Sequence, residues 1–127
     1  MRALIRVVAI VLVLSLGGSA AAQFDKLKNT TPEQRAKIIT ALMKDKLGLD
    51  ADQESKIAAL NLKYAQKTQP VLTGSDGPFK QMRAIRAING EKEKELKSVL
   101  SPAQFDKYVA SKDEIRRKFD EQIAAAP

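Results

Sequence analysis

The 127 residues include no histidine and no cysteine, so any chemistry falls to carboxylates, amines, guanidiniums, hydroxyls and amides. The imidazole base, the thiolate nucleophile and every nitrogen or sulfur metal ligand are missing. Carboxylates are plentiful, but they sit one helical turn from lysines, the arrangement of a solvated helix face. Gly74-Ser75-Asp76-Gly77 falls short of a phosphate-binding loop because no Lys-Ser/Thr follows it. It reads instead as a helix–helix connection. The spaced aspartates of an EF-hand are also missing. The expectation is no catalytic residue, no metal ligand, no cofactor and no enzyme.

Binding is the chemistry left. The stretch Phe79-Lys80-Gln81-Met82-Arg83-Ala84-Ile85-Arg86 mixes cations with apolar groups at helical spacing. Lys80, Arg83 and Arg86 form a basic stripe over adjacent turns, with Phe79, Met82 and Ile85 along its flank. Unfolded exported chains present apolar segments and acidic runs. A surface that holds them needs mobile cations beside modest apolar patches, so that binding stays loose and reversible. The competing reading makes the apolar residues core and the cations its solvated rim. A second cluster, Arg116-Arg117-Lys118, is explained by interaction with the negative end of its helix.

Three copies of one pattern dictate where helices start. They are Thr31-Pro32-Glu33-Gln34, Asp50-Ala51-Asp52-Gln53 and Ser101-Pro102-Ala103-Gln104. In each, the first side chain can accept from an orphan N–H of the first turn, and Gln at the third helical position can reach back to the cap. Pro32 and Pro102 occupy the position where a helix tolerates proline best. The glutamines Gln34, Gln53 and Gln104 are expected to be structural caps. Lys37, Lys56 and Lys107 recur six places after the cap, with nothing to show that they act together.

Four helices follow, in an all-α fold of thin, hairpin-paired form. The first runs from Pro32 to about Leu47 and stops at Gly48. The second starts after Asp50, carries the stripe Ile57, Leu60 and Tyr64, and is expected to end or kink at Pro70. Residues 70–78 read as a loop rich in glycine and proline. The third helix begins near Pro78, and Gly90 interrupts it at a cost of about 1 kcal/mol relative to alanine. The fourth runs from Ser101 to about Ala124, with a seam of Phe105, Tyr108, Lys112, Ile115, Phe119 and Gln122.

Residues 1–22 read as a secretory leader that is cleaved. Arg2 and Arg6 precede an apolar run of about ten residues, and Ala20-Ala21-Ala22 supplies the exit. That run is well short of the roughly twenty residues a spanning helix needs. The mature chain, 23–127, is one domain without a transmembrane segment, expected in the periplasm or secreted. Losing Arg2 and Arg6 lowers the formal charge from +7 to +5. Export argues against nucleic acid as the partner of that charge. It leaves acidic protein segments, anionic lipid and cell-wall polymers, or plain solubility.

The repeats resemble the LTxxQ motif of the Spy/CpxP family of small exported helical proteins. Leu100-Ser101-Pro102-Ala103-Gln104 is a close variant with Ser in place of Thr, and Leu49-Asp50-Ala51-Asp52-Gln53 has Asp at the cap. Thr30-Thr31-Pro32-Glu33-Gln34 replaces the leading Leu. The resemblance spans nearly all of the mature chain. It implies a thin, curved four-helix envelope protein, often a homodimer, that holds unfolded or misfolded proteins without ATP and limits aggregation during envelope stress. Some relatives instead bind the periplasmic domain of a sensor kinase, the alternative function carried here. Others bind zinc, a role at odds with a chain that lacks His and Cys.

Overall fold

A computed structural model describes residues 25–126; the expected leader and its cleavage site lie outside them. After a helical segment over residues 25–28, four helices follow. They are α1 (Pro32–Leu47), α2 (Ala51–Thr73), α3 (Pro78–Val99) and α4 (Pro102–Ala125). Among the described residues there is no strand. The fold is all-α.

The three repeats do what their chemistry dictates. Thr31, Asp50 and Ser101 each accept from the backbone N–H of the Gln three places on, and that Gln side chain accepts from the cap's own N–H. Three full capping boxes result. Gly48 ends α1 in the left-handed region, φ 65°, and its N–H donates to the Lys44 carbonyl. Only glycine takes that conformation without strain. The turn leads straight into α2, with Leu49 buried beneath it.

Of the two outcomes expected at Pro70, an end or a kink, the first does not occur. The helix runs three residues further, to Thr73. Leu72 is fully buried, the Thr73 hydroxyl donates to the Gln69 carbonyl, and Gln81 Nε2 donates to the Val71 carbonyl at 3.1 Å. These contacts hold the last turn against the loss of one backbone bond. The loop thereby shrinks from 70–78 to residues 74–77. Gly90 likewise leaves α3 unbroken.

Pairings along the helices set the topology. Lys44–Glu54, Thr40–Asn61 and Arg35–Gln69 run antiparallel between α1 and α2. Lys63–Glu95 and Lys67–Glu91 do the same between α2 and α3, and Lys46–Glu114 joins α1 to α4 at 2.7 Å. Thus α3 lies along α2 and α4 along α1, while α3 and α4 touch little. Their links are the Lys112–Glu93 pair and the Lys97 ammonium 5.7 Å from the Phe105 ring centroid.

The core sits where all four helices converge. Leu42, Met43, Leu47, Leu49, Ile57, Leu96, Leu100, Tyr108 and Ile115 form one buried cluster at that joint. Ala36, Tyr64, Leu72 and Ile123 are buried outside it. Burial on α4 corrects the expected seam: Ser111 and Ile123 are buried, whereas Lys112 and Gln122 are exposed. Lys112 turns out to meet Glu93, and the inward stripe is Tyr108, Ser111, Ile115 and Ile123.

Candidate functional site

The basic stripe falls on the first turns of α3, at the end of that helix away from the joint. Rotation of 100° per residue puts Phe79, Arg83 and Arg86 on one face, with Met82 and Lys80 on its two sides. Gln81, Ile85 and Ile88 turn toward the protein. Burial follows this division: Lys80, Arg83 and Arg86 are exposed, Gln81 is buried, and Ile85 and Ile88 are half-buried. Phe79 is 92% exposed and Met82 39%. The reading that made the apolar residues core therefore fails for Phe79 and Met82, and Ile85 is only half-buried. Phe79 faces solvent because α2 packs on the opposite side of α3, through Gln81.

Charge on this face is lightly compensated. Lys80 lies 3.8 Å from Asp76, an exposed i,i+4 pair of the kind that contributes little. Among the described residues Arg83 and Arg86 have no ion-pair partner at all. No acidic residue occurs from Pro78 through Gly90. By contrast, the next part of α3 is heavily paired, through Glu91, Glu93 and Glu95. There the Tyr64 hydroxyl and then the Lys63 ammonium hold Glu95 below the usual carboxylate range. On the inward face of α3, burial keeps the Lys92 ammonium below its ordinary pKa, with Glu93 opposing the effect.

The helix start also differs here. Gly77 is the N-cap of α3 and offers no side-chain acceptor, and its first turn holds no acid. Exposed N–H groups, cations and an exposed aromatic ring therefore share one tip. Arg116, Arg117 and Lys118 are exposed on α4. None of the three falls in the last turn of α4, so the helix-end interaction expected from the sequence does not explain them; Lys118 instead pairs with Glu114 at 3.4 Å. Among the described residues no three of His, Cys, Asp and Glu gather into a metal-binding group, and no described helix is long and apolar enough to cross a membrane.

The capping glutamines do more than cap. Gln53 Nε2 donates to Gln104 Oε1 at 2.7 Å, and Gln104 Nε2 donates back to Gln53 Oε1 at 3.1 Å. The two amides form a closed pair that bridges the starts of α2 and α4. Their remaining N–H groups reach the Val99 and Leu47 carbonyls, at the ends of α3 and α1. One pair thus ties all four helices at the joint. The recurrence of Gln at the same capping position was the signal for it; its reciprocal pairing was not expected.

Arg35 is a second residue the sequence reading passed over. It is 5% exposed and has no carboxylate partner among the described residues. Nη1 donates to the Leu27 carbonyl, the Thr30 carbonyl and the Thr30 hydroxyl; Nη2 donates to the Ala65 carbonyl and to Gln69 Oε1 at 2.6 Å. Desolvation lowers its pKa, with Glu33 opposing. The guanidinium pins residues 27–30 against α2 at the end opposite the glutamine pair. Both sites are structural, which leaves the tip of α3 as the candidate binding surface.

Residues 20–108 match a family described as a domain of unknown function, DUF4890. The chain belongs to this family. The DUF4890 match takes in all three capping repeats, α1 to α3 and the first turns of α4 through Tyr108. It therefore covers both the glutamine pair and the exposed face of α3. No curated protein and no solved structure matches the chain significantly.

Proposed function

We propose that this DUF4890 protein is an exported, ATP-independent chaperone-like protein of Spy/CpxP type that binds unfolded or misfolded envelope proteins and limits their aggregation. The observation that carries the reading is the face of α3. Phe79 stands almost wholly in solvent beside Arg83 and Arg86, which have no ion-pair partner among the described residues. An exposed ring gives apolar segments a foothold, and free guanidiniums attract the carboxylates beside them. Neither contact is enclosed, so capture is weak, reversible and tolerant of sequence. The LTxxQ-like repeats, the leader-like residues 1–22 and the absence of His and Cys all agree with such a binding role.

The test is light scattering of a denatured client diluted into buffer with and without the protein, in the absence of ATP. Suppression is expected near stoichiometric ratios. The Lys80→Gln/Arg83→Gln/Arg86→Gln variant should suppress several-fold less at equal concentration, with unchanged helicity. If several unrelated clients aggregate at the same rate with and without the protein, general holding is refuted. A role as a regulatory adaptor for a sensor-kinase domain would then take its place.

A further inference from the structure

We propose that the tip formed by residues 74–86 docks on an anionic phospholipid bilayer, with Phe79 entering the headgroup layer and Lys80, Arg83 and Arg86 facing the lipid phosphates. This goes beyond client holding and does not depend on it.

The tip stands apart from the core. The loop 74–77 and the start of α3 lie at the free end of the α2–α3 hairpin, away from the joint where the buried cluster gathers. Every residue from Thr73 to Lys80 is exposed. A flat surface can therefore meet this end without disturbing the core.

Phe79, Met82 and Val109 are the exposed large hydrophobic residues among those described, and the first two fall within one turn of each other on this tip. An aromatic ring at 92% exposure has an apolar face that protein contacts leave uncovered. The headgroup–acyl boundary is where such a ring sits well, since it is apolar on one side and wet on the other.

Charge complementarity selects an anionic lipid over a neutral one. Lys80, Arg83 and Arg86 surround the ring; Asp76, 3.8 Å from Lys80, is the one acid of residues 74–86, and the helix from Pro78 to Gly90 carries none to repel phosphate. At the same place the first turn of α3 has no side-chain cap, because Gly77 is its N-cap. The inward residues Gln81, Ile85 and Ile88 are tied up against the protein, so α3 cannot sink into the bilayer along its length. The expected mode is shallow, with one inserted ring and a small number of cations. It is reversible and weakens at high salt.

The experiment is vesicle co-sedimentation with the chain from Gln23 onward. That chain contains every described contact and leaves out the apolar run 7–16, which would bind lipid by itself. Vesicles of phosphatidylglycerol with phosphatidylethanolamine are compared with vesicles of phosphatidylcholine alone. Binding is expected to the first and not the second. Each cation is expected to contribute about fivefold, so the Lys80→Gln/Arg83→Gln/Arg86→Gln variant should bind roughly a hundredfold more weakly. Phe79→Ser should lose about tenfold or more with unchanged thermal melting, because Phe79 supports no packing. Equal binding to both vesicle types, no binding to either, or undiminished binding by the two variants would each overturn the proposal. An unfolded acidic polypeptide that binds this tip while anionic vesicles do not would overturn it too. Client holding is read separately in lipid-free buffer, so each idea can fail alone.

Discussion

At the joint, each amide of the Gln53–Gln104 pair spends both its donors and its acceptor inside the protein. The oxygen accepts from a cap N–H and from the partner amide, and the nitrogen reaches the partner and a helix-end carbonyl. Removing one side chain strands several of these groups, so Gln53→Ala or Gln104→Ala should each destabilise by about 1–3 kcal/mol in urea titrations. Once one amide is gone, the other has less left to lose. The double variant should therefore cost less than the sum of the singles, with a coupling of about 1 kcal/mol or more. Additive costs would mean that the pair contributes nothing beyond two independent caps. Arg35 is subject to the same logic at the other end. Arg35→Lys keeps the charge but loses the fork that reaches Thr30 and Gln69 together, and about 2 kcal/mol should go with it. Amide exchange in residues 27–30 should then accelerate relative to α2. Unchanged protection there would show that Arg35 does not hold the segment.

Helix starts and helix ends answer to different physics, and two glycines make the point. Gly90 lies inside α3, where an added Cβ meets nothing within 4 Å. Gly90→Ala should therefore stabilise by about 1 kcal/mol through helix propensity alone. Gly48 is equally open, but its φ is +65°, and Gly48→Ala should destabilise by roughly 1 kcal/mol. Thermal melts of the two variants should move in opposite directions; a shift of the same sign would refute the assignment of one backbone conformation. The starts of α1, α2 and α4 were legible in the sequence because a capping box is local chemistry, complete within four residues. The end of α2 was not, since it depends on Gln81 and on the burial of Leu72, contacts made with another element. The inward face of α4 was misread for a similar reason. Spacing alone fits Lys112 and Gln122 as well as Ser111 and Ile123; Lys112 faces out to meet Glu93 on α3, and burial picks Ser111 and Ile123 for the inward side. The site shows the same division. For the candidate surface, the residue types and charge are plain in the sequence, whereas the exposure of Phe79 follows from which side of α3 the second helix covers.

On the scale of the whole molecule, stability is concentrated where the four helices converge, and Tyr108 reports on that region. It is 7% exposed and belongs to the buried cluster. Burial, with the nearby Glu93 charge adding to it, pushes its phenol up to about 12. In the unfolded chain the same group ionises near 10. Between these values the unfolded state gives up a proton that the folded state keeps, so stability must fall as pH rises. Below about pH 10 the contribution is fully present; above about 12 it is gone. The gap corresponds to roughly 2–3 kcal/mol, a large share of what a domain of this size has to lose. Deprotonation of Lys63, whose pKa the hydrogen bond to Glu95 raises, weakens the surface pair Lys63–Glu95 at high pH as well. Tyr108→Phe separates the two effects, because it keeps the ring in the core and removes only the ionisable group. Urea titrations from pH 9 to 12 should show the parent losing stability more steeply than Tyr108→Phe, with the difference opening above pH 10. Parallel curves would mean that Tyr108 reaches solvent more readily than its packing implies, and that the joint is looser than the rest of the fold requires.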